Sequence, residues 1–364
     1  MDKPGLLGLG DEIKGVTFVP LEVTTDDASL IDGVYDYAVT DRYIYVLPVK
    51  EPRIVLFDRQ GRFIRTLVKE GQGPGEFRGI LPCIQVDERN DRLFLFSNNR
   101  VWEYTLEGEF IGQSTHEYSV IYMRHIGKDR FAAISFPFQP FNGGGFGLGL
   151  FSRKGDTIAI KNDFYSFLLP HEKSGFTTSI APAYSDAQNS VLFKTGSNDT
   201  VFCISADRIS AACVLDLKNS DAEVIRSLDV TDMSNLRIEK KDPKDIFVQD
   251  MIEFPGHYYF RLLYNQGYYI ASVDKKTGKT LVEKCVMPGS IYELADANLQ
   301  HGMQGTRSYR NFPVWGRVIK DELVQVVTPY ELNLYKSLRS ITIPQELDLK
   351  GEEGNPVFVF YSLI

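Results

Sequence analysis

Three observations predict an all-β chain folded as a six-bladed β-propeller: a hairpin signature recurring at a 47-residue offset, a glycine at one fixed place in each turn, and apolar strands at both chain ends. The reference copy is R-I-V-L-F-D-R-Q-G-R-F-I-R-T-L, starting at Arg53. Ile54, Leu56 and Phe57 form one apolar strand; Phe63, Ile64 and Leu67 form the next. Between them Asp58-Arg59-Gln60-Gly61 reads as a type I turn closed by a left-handed glycine. Asp opens such a turn because its carboxylate accepts backbone N–H groups two residues on. In the second copy Arg53 falls on Arg100, Phe57 on Tyr104, Gly61 on Gly108 and Ile64 on Ile111. A third keeps Phe151, Gly155 and Ile158, with Ser152 opening the turn as Thr105 does in the second. A fourth, Ile270 to Leu281, carries one extra turn residue before Gly278. Unrelated hairpins in a β-sandwich are the alternative, and three copies at one offset argue against it.

A length of 364 residues ordinarily means two or three domains. Propeller blades cannot bury their faces singly, so residues 1–364 are expected to form one domain with a short tail at 1–13. The 24 Phe and 19 Tyr suit blades packed face to face through aromatics. A net charge of −8 and the lack of a basic stripe exclude phosphate-backbone binding, so no nucleic-acid partner is expected. No apolar run reaches the length of a membrane span. The opening M-D-K-P-G-L-L-G-L-G has no signal-peptide core, so a signal is either lacking or already removed.

In chain order, Gly15 to Glu22 is a lone strand. Val34–Val39, Tyr43–Leu47, Arg53–Phe57 and Phe63–Val68 make the first blade, and Ile84–Val86, Leu93–Phe96, Val101–Tyr104 and Phe110–Gln113 the second. The third uses Phe131–Ser135 and Gly149–Phe151, split by a loop holding Phe136, Phe138, Phe141 and Phe146. A long connector, Asn162 to Ser174, follows it. The fourth blade is weaker: Ser190–Phe193, Thr200–Ile204 and Ile209–Leu217. Helical spacing of Val224, Ile225 and Leu228 predicts a short helix over 219–228. Phe247 to Val286 is the fifth blade. The sixth starts near Arg310, runs through Leu323–Val327, is interrupted over Pro329–Leu347, and ends on Pro356–Leu363. It lacks an outermost strand, which the Gly15–Glu22 strand supplies, removing two open edges.

Chemistry-bearing motifs are sparse. Gly71-x-Gly73-x-Gly75 contains Pro74 and precedes a strand, so it reads as a turn between blades and not as a dinucleotide fingerprint. Cys83, Cys203, Cys213 and Cys285 form no C-x-x-C pair and read as buried thiols, with Cys203 and Cys213 near enough along a hairpin to keep a disulfide open. His116, His125, His171, His257 and His301 show no metal-ligand spacing. No G-x-S-x-G occurs.

Several stretches carry a resemblance: V-P-L-E (Val19 to Glu22), Y-I-Y-V before F-D-R-Q-G-R-F-I, E-G-Q-G-P-G-E-F, D-T-V-F (Asp199 to Phe202) and the closing G-N-P-V-F-V-F-Y. Together they resemble the six-bladed β-propeller proteins common in Bacteroides-type bacteria, relatives of NHL-repeat proteins. Gly354 departs from that pattern, which usually has Asp before Asn-Pro, and the fourth blade is degenerate. The resemblance implies export to the periplasm or cell surface, typically on a lipid anchor, which here would lie outside this sequence. It implies no particular reaction.

The expected function is therefore a non-enzymatic binding module for a glycan, peptide or protein ligand at the channel mouth. In propellers the loops between second and third strands share a face with the connectors between blades, which gathers Phe136–Gly149, Gly71–Gly79 and Asn162–Ser174. Phe138 and Phe141 are candidates to stack on a ligand; Arg78, His171, Glu172, Tyr309, Arg310 and Trp315 complete the candidate set. The competing reading, that these phenylalanines plug the channel or pack the loop down, carries slightly more weight. No cofactor is expected. The alternative is a metal-dependent hydrolase or lyase of the NHL- or lactonase-like type with a divalent metal in the channel, for which Asp87, Asn98, Asn265 and Glu293 are candidates only as members of an abundant acidic and amide set.

Overall fold

Alternating apolar strands joined by tight turns build six four-stranded antiparallel sheets, the blades of a six-bladed β-propeller. The computed structural model describes residues 13–25, 28–78, 83–97, 99–117, 120, 122–134, 138–139, 147–161, 167–168, 183–187, 189–194, 199–217, 246–265, 267–284, 317–337 and 354–364. A leading strand β1 (Ile13–Pro20) precedes blade one, formed by β2 (Val34–Val39), β3 (Tyr43–Pro48), β4 (Arg53–Asp58) and β5 (Phe63–Lys69). Blade two is β6 (Cys83–Asp87), β7 (Arg92–Ser97), β8 (Arg100–Tyr104) and β9 (Phe110–Thr115). The next six strands are β10 (Tyr122–His125), β11 (Arg130–Ile134), β12 (Phe138–Gln139), β13 (Leu148–Ser152), β14 (Thr157–Lys161) and β15 (Phe167–Leu168). Blade three is β10-β11-β13-β14, while β12 and β15 pair with each other. Blade four is β16 (Ala183–Ala187), β17 (Ser190–Lys194), β18 (Thr200–Ser205) and β19 (Ile209–Val214). Blade five is β20 (Ile246–Glu253), β21 (His257–Tyr264), β22 (Gly267–Asp274) and β23 (Thr280–Lys284). Blade six is β24 (Arg317–Ile319), β25 (Glu322–Val327) and β26 (Val357–Leu363), with helix α1 (Pro329–Ser337) before β26.

The chain divides into two compact units, residues 1–117 with 310–364, and residues 118–309. In the first, β26 lies between β25 and β1, so the leading strand completes blade six as the sequence requires. Its register runs from Ile13↔Leu363 to Pro20↔Val357, two residues ahead of the expected bounds. Alternation along β3 explains the packing. Ile44 and Val46 join Phe57, Phe358 and Phe360 on one side, while Tyr45 and Leu47 join Phe77, Leu95 and Trp102 on the other. Each such buried side chain contributes about 1.5–3 kcal/mol.

The repeated turns have the expected chemistry. Gly61, Gly108, Gly155 and Gly278 all have positive φ, between 71° and 98°. Asp58 Oδ1 accepts the Gln60 and Arg62 N–H groups, each at 2.9 Å. Thr105 and Ser152 accept the N–H of the residue four further on, and Asp274 accepts from Lys276 and Thr277. Gly61 has a second constraint: a Cβ there would strike the carbonyl oxygen of Pro20. Blade four, which lacks the glycine, closes with a bond from the Ser205 N–H to the Arg208 carbonyl.

In the second unit one core cluster joins Tyr122, Ile134 and Leu150 of blade three to Val191, Phe193 and Ile204 of blade four. Another joins Leu192 and Val201 of blade four to Met251, Phe260 and Leu262 of blade five. The helix predicted over 219–228 lies outside the described residues. The interruption after β25 contains α1, whose start is a reciprocal cap: the Glu331 N–H donates to Thr328 Oγ1 (3.1 Å) and the Thr328 N–H to Glu331 Oε2 (2.7 Å). Thr-Pro-x-Glu, with proline at the first helical position, was the sequence signal for that helix.

Candidate functional site

The loop between β11 and β13 and the connector after β14 are long because neither is a tight turn. The structure joins them: Phe138 pairs with Phe167 and Gln139 with Leu168 in a short parallel ladder. This pairs a second-to-third-strand loop with a connector that follows the blade. Phe141, His171, Glu172, Tyr309, Arg310 and Trp315 lie outside the described residues, as do Asn98 and Glu293.

Arg78 is described and exposed, and it bonds its own connector. Its Nε donates to the Gly71 carbonyl at 3.1 Å, and its Nη2 lies 3.4 Å from the Gln72 carbonyl. The G-Q-G-P-G-E-F run is a knot between blades. The Gly71 N–H bonds the Phe77 carbonyl, the Gly73 N–H bonds Glu76 Oε2 at 2.7 Å, and Phe77 is buried edge-on to Trp102. A Cβ at Gly71 would meet the Glu76 carboxylate, the far end of the flexible side chain that accepts the Gly73 N–H.

The sequence reading missed a cleft of about 500 Å³ in blade one. The β3–β4 turn supplies Lys50, Glu51 and Pro52, the start of β4 supplies Arg53, and β5 supplies Thr66 and Lys69. Arg53 forms its floor, pairing with Glu51 and donating to the Leu30 carbonyl at 2.7 Å. Lys50 stands 3.8 Å from Asp32. This turn joins a second strand to a third, the same topological place that the Phe138 loop holds in blade three.

Buried charge on the innermost strands was also missed. Asp36 of β2 accepts the Ile84 N–H at 2.8 Å and the Tyr37 N–H at 2.9 Å, and pairs with Arg317 of β24. Arg317 donates to the Tyr37 carbonyl (2.8 Å) and sits over the Tyr37 ring. Blade five repeats the device: Asp250 follows a register shift on β20, accepts the Met251 N–H at 3.0 Å and lies 3.7 Å from Arg261. An Asp inside the apolar run V-Y-D-Y-A-V was the available signal.

Among the described residues, no group of three or more His, Cys, Asp and Glu side chains is arranged to hold a metal. Asp87 accepts a hydrogen bond from Asn90 Nδ2, and Asn265 takes a left-handed turn position after β21. His116 is buried, and desolvation holds its imidazole below the usual histidine range. His125 packs on Phe131, and His257 lies 3.7 Å from Asp274. Cys203 stands opposite Ser210 and Cys213 opposite Val201, so the two thiols are diagonal and unjoined. Burial raises both above the ordinary thiol range. No helix among the described residues is long and apolar enough to cross a membrane.

Comparison with known proteins bears on fold and family. The chain is similar to the crystal structure of a "Putative exported protein" of Bacteroides fragilis NCTC 9343, with a TM-score of 0.68 and 16% identity over 98% of this chain and 96% of that one. The WD40 β-propeller domain of Doa1 matches at a TM-score of 0.38 and 12% identity, covering 75% of this chain and 72% of that one. A protein of unknown function from Bacteroides caccae matches at 0.38 and 11%, covering 69% and 82%. No curated protein matches the chain. Residues 1–362 match the family "Domain of unknown function (DUF4934)", and the chain belongs to that family.

Proposed function

We propose that this chain is an exported binding module that uses one rim of its blades to hold a glycan- or peptide-like ligand. The observation that supports the reading is the parallel pairing of Phe138 with Phe167. This two-residue backbone ladder sets Phe138-Gln139 of the β11–β13 loop beside Phe167-Leu168 of the connector after β14, and loops that tolerate insertion are where propellers commonly bind. Export accords with the name of the Bacteroides fragilis protein, and delivery to the periplasm or cell surface on a lipid anchor is the finer part of this proposal, drawn from the sequence resemblance. The test is the Phe138→Ala, Phe141→Ala double variant assayed against glycan and peptide panels, with circular dichroism as the folding control. Binding by the parent and its loss in a folded double variant is the expected result. Full binding by the double variant would remove this rim from consideration.

A further inference from the structure

Blade five ends in an outer strand unlike those of its neighbours. The β4–β5, β8–β9, β13–β14 and β18–β19 pairings each contain a register shift. The β22–β23 ladder runs from Tyr269↔Lys284 to Val273↔Thr280 without one. Bulges twist and blunt an edge strand, so β23 keeps a regular edge where the others do not. Its central residues are also apolar and open, with Leu281 56% and Val282 58% exposed on opposite faces. Among the described residues β23 pairs with β22 alone.

We propose that β23 is a self-association edge, to which a second copy of this chain adds its own β23 antiparallel, with Leu281 opposite its counterpart. Backbone parity and charge both select that register. The Asp274 N–H donates to the Lys279 carbonyl at 3.0 Å, so the peptide groups of Lys279, Leu281 and Glu283 turn toward β22. Those of Thr280 and Val282 then face outward. Centring the pair on Leu281 sets Thr280 against Val282 of the other copy, twice, and these outward groups exchange hydrogen bonds. The same register sets Lys279 against Glu283 at both ends, opposite charges at the positions where antiparallel side chains come closest. Centring on Val282 also satisfies parity, but it sets Leu281 against Glu283 and Thr280 against Lys284 and loses both ion pairs. The contact is isologous, as a two-fold dimer requires, and follows the strand-addition mode of recognition.

Sedimentation of the full chain at low salt, up to about 0.1 mM, tests the proposal. A monomer–dimer equilibrium is expected. Lys279→Glu and Glu283→Lys should each weaken it about tenfold, since either replaces two attractive pairs with two repulsive ones. Combining them should restore the dimer. Val282→Pro removes only an outward N–H and should abolish the dimer while leaving the circular dichroism spectrum intact. A monomer across the whole range, or a dimer that ignores these variants, would overturn the proposal.

Discussion

Asn355 and Ile31 lie 324 positions apart, and the Ile31 N–H donates to Asn355 Oδ1 at 2.7 Å. The same side chain donates from Nδ2 to the carbonyls of Glu22 and Ser29, at 2.7 and 2.8 Å. Asn355 is buried, so one amide satisfies three backbone groups of the segment that links β1 to blade one. This gives the N-P-V motif a physical reason: it fastens the C-terminal strand's entry to the N-terminal segment. Asn355→Ala should lower stability by about 2–4 kcal/mol, since it leaves buried donors and acceptors unmatched. Asn355→Asp should be comparably harmful, because a carboxylate keeps the bond to Ile31 but presents oxygen to two carbonyls. Urea midpoints decide, and a parental midpoint in both variants would show the amide to be dispensable.

Turn glycines supply a graded comparison. Gly61 and Gly108 both take left-handed φ, near 83° and 87°. Valine at either place should cost about 1–2 kcal/mol from backbone strain. Gly61→Val should cost more than Gly108→Val, because its Cβ meets the Pro20 carbonyl whereas at Gly108 the nearest atom is the Leu67 side chain at 3.1 Å. Equal thermal midpoints for the two variants would refute the extra β1 contact.

Most of the fold was legible because it rests on local, repeated chemistry. Asp58, Thr105, Ser152 and Asp274 each bond their own turn, so a one-dimensional pattern carries the three-dimensional instruction. The β1–β26 pairing was legible for a related reason: V-T-F-V and V-F-V-F-Y are both apolar strands that need a partner. The cleft of blade one was less legible. It gathers Lys50 from the β3–β4 turn, Arg53 from the start of β4 and Lys69 from β5, and no spacing rule links them. At Arg78 the sequence did not signal the local geometry, in which the exposed guanidinium donates to the connector's own carbonyls.

Acid should weaken the first hairpin selectively. Burial pushes the Asp58 carboxyl upward, but bonds from the Arg62 backbone and side chain and from the Gln60 backbone outweigh it and hold the group below the usual carboxylate range. A carboxyl depressed in the folded state adds stability above its unfolded pKa of about 3.9 and loses it as pH falls through the folded value. The stability gap between the parent and Asp58→Asn should therefore be widest near neutrality and close below the unfolded pKa. Denaturant titrations at several pH values measure it; a gap that widened on acidification would reverse the assignment.

The Asp36–Arg317 pair yields the most discriminating stability test. Asp36 is fully shielded, and Arg317 exposes 13% of its side chain. Removing one partner of a buried ion pair costs about 3–5 kcal/mol, because the survivor stays desolvated. The two single variants should differ in kind. Arg317→Met leaves the carboxylate with the Ile84 and Tyr37 N–H donors, so part of its charge remains solvated by the backbone. Asp36→Leu removes the acceptor of both of those N–H groups as well as the guanidinium's ion-pair partner, while the guanidinium keeps its bond to the Tyr37 carbonyl and its place over the Tyr37 ring. Asp36→Leu should therefore be the worse substitution. The double variant should lose less than the two single losses combined, since neither charge is then left alone. Strict additivity in a urea-unfolding cycle would mean that Asp36 and Arg317 stabilise the innermost strands independently, and the pair would lose its standing as the unit that ties β2 to β24.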